Sequence, residues 1–374
     1  PMLSGNIADV LWPRSVDRLP SLADKVIAVT GCTTGTGYWL AVTAVKKGAR
    51  CIILLNRKSE RATSAEQSIK ENVLPGAASS YVVSIDCDLQ SMASVRAAAA
   101  EVAKVSSTYG GLDVLVNNAG VMMQPDHRTT DGFDVQMQTN HLSHFLLTKM
   151  LMPSLEMAAF SRGEARVVQH SSGARRSSTA GEGLLESKFF QRSEPATLGA
   201  DGLGAGMSRY HQTKLANSVF GLALHNKLSA RGSKVKSVVA EPGVSATKLF
   251  ENIATGHAEG GLANRIALNC LAPCLMSIQG CFGNGPQSAA DGSVPLCEAA
   301  FGSETDSGDF FMPTVPLWPI GSKGDPNKVL TAGVPSGLSW QKDKFRSEDL
   351  TLDVGNHHTL WVASEAAIGE AFEA

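Results

Sequence analysis

No surplus of charge of either sign marks this chain: 33 Lys and Arg stand against 35 Asp and Glu, a formal net charge of -2. That balance gives no electrostatic footing for a nucleic acid or an anionic membrane surface. Long apolar runs are absent as well. Although 43% of the residues are hydrophobic, no run reaches the ~18 residues that a membrane-spanning helix requires. Cysteine is present without the pattern of a metal or disulfide framework. The seven (Cys32, Cys51, Cys87, Cys270, Cys274, Cys281 and Cys297) are odd in number and include no C-x-x-C pair. Reduced thiols in a reducing, intracellular compartment are the expectation, and no metal is expected, because zinc ligands are normally more tightly spaced. Nothing at the start reads as a signal peptide. The chain begins at Pro1 rather than at a Met, so an organellar origin, a plastid included, stays open beside a cytoplasmic one.

What is there is an alternation of short apolar strands and helical stretches in 374 residues, enough for one large α/β domain with insertions or for two small domains. Residues 1–24, with Pro13 and Pro20, read as an irregular leader before a domain spanning 25–374. Lys25–Thr30 reads as a buried strand running into Gly31-Cys32-Thr33-Thr34-Gly35-Thr36-Gly37 and then into a helix. Strand, glycine turn and helix is the context in which glycines admit a pyrophosphate to a helix N-terminus. A second strand, Cys51–Leu55, ends at Asn56-Arg57-Lys58. A carboxylate there would accept the 2′-hydroxyl of NAD; two cations suit the 2′-phosphate of NADP.

Further strands are read at Ser80–Ile85, Leu112–Val116, Ala165–His170 and Val235–Ala240. They deliver, in turn, Asp86-Cys87-Asp88-Leu89, Asn117-Asn118-Ala119-Gly120, Ser171-Ser172 and Glu241-Pro242-Gly243-Val244. A helix over Asp134–Leu151 carries an unusually polar insertion, Asn140-His141-Leu142-Ser143-His144. This alternation predicts a doubly wound parallel sheet flanked by helices, with ligands at the strand carboxyl ends. On a helix, Tyr210 and Lys214 lie four apart on one face. An ammonium beside a phenol favours the phenolate and lowers its pKa, which suits a general acid for a carbonyl oxygen.

Together these residues resemble the short-chain dehydrogenase/reductase family, with its single Rossmann-type α/β sheet. The matching pieces are TGCTTGTG (30–37), NNAG (117–120), Asn140, Ser172, Y-x-x-x-K (210–214) and PG (242–243), in the family's order over about 25–250. NHLSHFLLT (140–148), VVQHSSGAR (167–175) and YHQTKLANSVF (210–220) are similar to the retinol-dehydrogenase-like and protochlorophyllide-reductase-like branch. The resemblance implies four catalytic residues. Tyr210 would protonate the substrate oxygen, Lys214 would lower its pKa and hold the nicotinamide ribose, Ser172 rather than Ser171 would orient the carbonyl, and Asn140 would anchor a relay water.

It also implies a cofactor site of Gly31, Thr33, Thr34, Gly35 and Gly37 at the glycine turn, with Arg57 and Lys58 beside the adenosine ribose. Asp88 and Leu89 would lie near the adenine, Asn117, Ala119 and Gly120 near the ribose, and Pro242, Gly243, Val244 and Thr247 towards the nicotinamide. NADP(H) rather than NAD(H) is the expected cofactor.

Three departures stand out. The span between Ser172 and Tyr210 is far longer than in the simplest members; its extra residues (about 176–207) read as a loop arching outwards. Thr34 stands where many NADP-preferring members place a cation, leaving Arg57 and Lys58 to carry that preference. Residues 312–357 insert a Pro/Gly-rich segment before a final helix. The apolar stretch 262–282, within a span of about 249–285, reads as a lid over an apolar pocket, with a peripheral membrane contact second and plain core packing, the commonest fate of an apolar run, weighed against both. A lipophilic carbonyl or alcohol fits that lid. The chain thus reads as an NADP-dependent oxidoreductase, with a homo-oligomer or a place in a larger complex both open. The alternative is a structural or nucleotide-sensing subunit of a larger assembly, which the leader and the insertions would serve.

Overall fold

Val26–Thr30 (β1) is uncharged, rich in β-branched side chains and buried at every residue, as a strand covered on both faces must be. Around it the computed structural model, which describes residues 11–72, 80–176, 184–194, 197–199, 201–243, 245, 287–313, 326–330 and 350–374, builds an eight-stranded sheet. The other strands are β2 (Cys51–Asn56), β3 (Tyr81–Asp86), β4 (Val114–Asn117), β5 (Ala165–His170), β6 (Val235–Ala240), β7 (Phe310–Pro313) and β8 (Pro326–Leu330). Their order is β3-β2-β1-β4-β5-β6-β7-β8. The first seven run parallel, giving the doubly wound sheet that the alternation predicts. β8, drawn from the 312–357 insertion, adds an antiparallel edge.

Because side chains alternate across a strand, the sheet divides the apolar residues into two clusters. Ile27, Val29, Ile52 and Leu54 face α2 (Gly35–Lys46) and the late helix Ala289–Phe301. Ala28, Ile53, Leu115 and Val167 face the other layer: α4 (Met92–Ser107), α6 (Ser143–Arg162), α7 (Leu203–Ala230) and the terminal helix Val354–Ile368. The remaining helices are α1 (Trp12–Arg18), α3 (Glu60–Glu71) and the short α5 (Val135–Met137), and the two late ones are α8 and α9. Several start where a side chain satisfies a free N–H: Ser59 accepts from Ala62, Asp134 from Gln136 and Met137, and Asp353 from Asn356.

Three expectations change. The leader is not wholly irregular: α1 places Pro13 in its first turn, where proline is favoured, and docks on α8 through Asp291 Oδ1, which accepts from Leu11 and Trp12 N–H. The helix expected over Asp134–Leu151 runs to Arg162, interrupted by a π-type turn at Gln138–Leu142, and stops at Gly163 in the left-handed region. The stretch before Tyr210 does not simply arch outwards. Leu185, Phe189, Phe190 and Leu198 are buried in the same core as residues of α6, α7 and α9, each large side chain contributing about 1.5–3 kcal/mol by leaving water. α7 then starts at Leu203. The apolar stretch 262–282 lies outside the described residues. No described helix is long and apolar enough to cross a membrane.

β1 has β2 on one side and β4 on the other, so the chain reverses its direction of sheet growth there. The crevice beyond the carboxyl ends of β1 and β4 is where open α/β sheets take their ligands.

Candidate active site

The glycine turn opens from the end of β1. Gly31 and Gly35 have φ of 72° and 69°, a region that costs side-chain-bearing residues dearly. A Cβ on Gly31 would lie 2.9 Å from Ala119, and one on Gly37 only 2.3 Å from Asn118 Nδ2. The turn is thus pressed against the NNAG segment. Thr34 is the N-cap of α2, yet its side chain makes no capping bond; Thr33, Thr34 and Gly35 are part-exposed there. The first N–H groups of α2 therefore remain available to an anion.

Asn118 holds this arrangement. Its Nδ2 donates to the Thr30 and Gly31 carbonyls at 2.8 and 3.1 Å. Its Oδ1 accepts from the Thr36 hydroxyl at 3.1 Å and from His170 Nδ1 at 2.9 Å. Asn117 points the other way: its amide is buried and donates to Thr148 Oγ1. Its side chain does not line the crevice, so what it offers a ligand there is main chain. Ala119 and Gly120 follow at the crevice edge, and a Cβ on Gly120 would stand 3.3 Å from Asn140 Oδ1 and 3.5 Å from Lys214 Nζ.

Behind the crevice runs a chain of buried hydrogen bonds. Thr30 Oγ1 accepts from the N–H groups of Asn118 and Ala119, both at 3.0 Å. It can then donate to His144 Nε2 at 2.9 Å, while His144 Nδ1 donates to the Asn140 carbonyl at 3.0 Å. That carbonyl belongs to the π-type turn, where a widened helix leaves main-chain groups seeking partners. The Asn140 side chain clamps the Val121 N–H and carbonyl at 2.8 Å each and donates to Thr213 Oγ1 at 2.9 Å. Burial pushes His144 down to about 4, with the Lys214 charge adding to it, so the imidazole is neutral at pH 7.

Tyr210, Ser172 and Lys214 come together where β5 ends against α7. Ser172 hydrogen bonds the phenol and favours its ionised form. Ser171 is committed elsewhere, to the Lys214 carbonyl and to Ser218. The expectation that Lys214 brings the phenol down towards neutral pH is not met in the chain by itself. Burial pushes Tyr210 up to about 12, and the Glu241 charge adds to the rise. The Lys214 ammonium stands 5.8 Å from the ring centroid and donates to the His170 carbonyl at 3.0 Å. Burial lowers it to about 8, which leaves it mostly cationic at pH 7.

Glu241, next to Pro242 and Gly243, forms a fully buried ion pair with Arg175, whose guanidinium also donates to the Ser172 carbonyl at 3.0 Å and lies 4.3 Å over the Phe310 ring. The pair ties the loops after β5 and β6 together. Gly243 has φ 65°, and the Pro242 carbonyl accepts from Ser245 Oγ. Val244 and Thr247 lie outside the described residues. At the far end of the crevice, Arg57 and Lys58 are exposed at the carboxyl end of β2. The Lys58 N–H donates to Asp86 Oδ1 at 2.9 Å, and Asn56 Oδ1 accepts from Cys32 N–H at 2.8 Å. Asp88, part-exposed, accepts from Gln90 N–H; Leu89 is buried, and its carbonyl takes the Ser143 hydroxyl. Sequence reasoning passed over Asn118, His144, Thr30 and the Arg175–Glu241 pair.

Comparison with known proteins follows the same outline. A family model for short chain dehydrogenases matches residues 25–184. Human polyprenol dehydrogenase is 35% identical over 234 residues, 63% of this chain and 64% of its own length. The chloroplastic short-chain dehydrogenase TIC 32 A of Brassica napus is 32% identical over 231 residues, 62% of this chain and 67% of its own length. The match with the human protein thus spans slightly less than two thirds of that relative. Among solved structures, an uncharacterised protein from Mycobacterium paratuberculosis superposes with a TM-score of 0.62 at 26% identity, covering 96% of this chain and 98% of that one.

Proposed function

The chain belongs to the short-chain dehydrogenase/reductase family of oxidoreductases, on its retinol-dehydrogenase-like side, and from that premise we propose that it interconverts a carbonyl and an alcohol on a lipophilic substrate using NADP(H). The observation that carries this reading is the meeting of Ser172 and Lys214 at the buried phenol of Tyr210, at the crevice of a doubly wound sheet. The residues fit a dinucleotide. Gly31 and Gly37 let the turn close on Ala119 and Asn118 where a side chain would clash, and the cradle so formed offers the uncapped, part-exposed start of α2 to a pyrophosphate. Thr33, Thr34 and Gly35 would hold the phosphates, and Arg57 and Lys58 the 2′-phosphate. Asp88, the NNAG main chain and Pro242–Gly243 would line the rest. When bound, the nicotinamide supplies or accepts the hydride.

The chain's own groups would do the proton chemistry. A phenol near 12 keeps its proton at neutral pH, so Tyr210 is ready to give it to a carbonyl oxygen as negative charge develops there. The Ser172 hydroxyl would donate to the same oxygen and fix its position. Lys214, cationic and on the next turn of α7, would stabilise the phenolate left behind. Asn140, clamped to Val121 and Thr213, would hold the floor of the site and a relay water. The lipophilic substrate is supported by a human relative whose name assigns it a polyprenol. Consumption of NADPH with a panel of lipophilic aldehydes and ketones, beside a Tyr210→Phe control, tests the proposal. Turnover lowered about 10²–10⁴-fold in the control, the usual weight of a positioned acid, upholds it; turnover unchanged in the control overturns the role of Tyr210.

A further inference from the structure

Three methionines share one small apolar cluster with Tyr210. Met122 and Tyr210 form a small buried cluster of their own, with Met123, Met207 and Ala174 partly buried against it. Met207 comes from α7 one turn before Tyr210, Ala174 from the turn after Ser172, and Met122 and Met123 from the segment after Gly120. The backbone under them is held in an unfavourable state: Met123, at φ 50°, is the one non-glycine residue with positive φ among the described residues. Strain of this kind persists where its surroundings over-determine it, and here they do. Gly206 on α7 lets the turn approach so closely that a Cβ there would lie 3.3 Å from Met123 Cα. Gln136 Nε2 donates to the Gly206 carbonyl and Arg209 Nη2 to the Gln124 carbonyl, both at 3.0 Å. The frame is fixed while the side chains it presents are unbranched and soft.

The charges around the phenol are already engaged by the protein, Lys214 with the His170 carbonyl and Glu241 with Arg175. Such a surface suits an uncharged hydrocarbon.

We infer that Met122, Met123 and Met207, with Ala174, form the wall that grips the hydrocarbon chain next to the reacting carbon, and that the substrates are long-chain, flexible aldehydes or alcohols. A thioether wall moulds itself to a chain with many conformers, where a wall of branched residues would select one shape. This inference rests on the reading of Tyr210 as the acid, and its test separates the two.

The full chain, labelled with ¹³C at its 11 methionine methyls and saturated with NADP⁺, is titrated with decan-1-ol and, separately, with ethanol. Single Met→Leu variants assign the resonances. Decan-1-ol is expected to move the Met122, Met123 and Met207 methyls, and ethanol to leave them in place. In parallel, kcat/KM for decanal over butanal is compared between the parent and Met207→Ala, with a fall of at least tenfold in that ratio expected. If decan-1-ol leaves the three methyls unmoved, or shifts all eleven alike, the wall is overturned whether or not the chain turns over. If the three methyls move and no carbonyl is reduced, the wall stands and the oxidoreductase reading fails.

Discussion

Ser171 Oγ and Ser218 Oγ share a hydrogen bond of 2.7 Å, and the same Ser171 hydroxyl donates to the Lys214 carbonyl at 2.8 Å. Two adjacent serines at the end of β5 are thereby separated in purpose: one ties the strand to α7, the other meets the phenol. Ser172→Ala is expected to lower kcat/KM about 100-fold, the scale of losing a hydrogen bond to a developing oxyanion. Ser171→Ala is expected to cost about 1 kcal/mol of stability, the net weight of a typical hydrogen bond, with kcat/KM within a few-fold of the parent. Steady-state kinetics and urea unfolding on both variants read the difference. The reverse pattern would assign the orienting hydroxyl to Ser171.

Gly37 tests the cradle. A methyl there would meet Asn118 Nδ2 at 2.3 Å and the Gly31 carbonyl at 2.5 Å. Neither can retreat cheaply, because Asn118 is bonded to Thr30, Gly31, Thr36 and His170 at once. Gly37→Ala is expected to raise the Kd for NADPH at least tenfold, measured by fluorescence titration, and to lower stability by about 1–3 kcal/mol, as overpacking does. Unchanged affinity would mean that the dinucleotide does not lie over this turn.

Arg57 tests the choice of dinucleotide. It is exposed at the end of β2, and its guanidinium has no hydrogen bond or ion pair among the described residues, so its removal is expected to be felt through a ligand. A lost charge-assisted bond to a phosphate is worth about 1.5–3 kcal/mol, so Arg57→Ala is expected to raise the KM for NADPH at least tenfold and that for NADH less than twofold. Equal losses would remove the 2′-phosphate assignment.

How far the sequence reached depended on whether a feature was local. β5 and β6 run over the residues read as strands, because each carries a central valine pair, Val167-Val168 and Val238-Val239, of the β-branched kind that strands favour. The glycine turn was legible for the same reason, its strand–turn–helix context being contiguous. The direction of the Asn117 side chain had an available signal: neighbours on a strand point to opposite faces, so one asparagine of the pair had to turn into the core. The polar run at 140–144 stood out on an apolar helix, but the π-type turn that makes His144 a partner for Asn140 has no sequence signature. The Arg175–Glu241 pair joins loops 66 positions apart, and only the folded sheet brings them together. Spacing put Lys214 beside Tyr210, yet it carried no information on burial, which sets the phenol's pKa.

Burial of neutral imidazoles carries a consequence for acid stability. His141 and His170 are pushed down to about 3, and His144 and His211 to about 4, chiefly by desolvation. In the unfolded chain each titrates near 6.5. The stability from keeping them neutral is therefore fully present above pH 6.5 and is lost as pH falls towards 4, because the unfolded state takes up protons that the folded state refuses. Asp134 opposes this. Burial raises it to about 6, so near pH 5 the folded state holds a proton there that the unfolded state has released. Burial lowers His225 as well, so among the described residues the histidines outnumber this one raised carboxylate, and unfolding near pH 5 takes up protons on balance. Urea unfolding across pH 4.5–7 is expected to show stability falling steeply below 6.5. His211→Gln, at the least enclosed of the four positions, is expected to make that slope shallower by about one proton. A flat profile over this range would mean that the histidines are hydrated and already charged in the folded chain, and the bonds drawn for His144 to Thr30 and Asn140 would go with it.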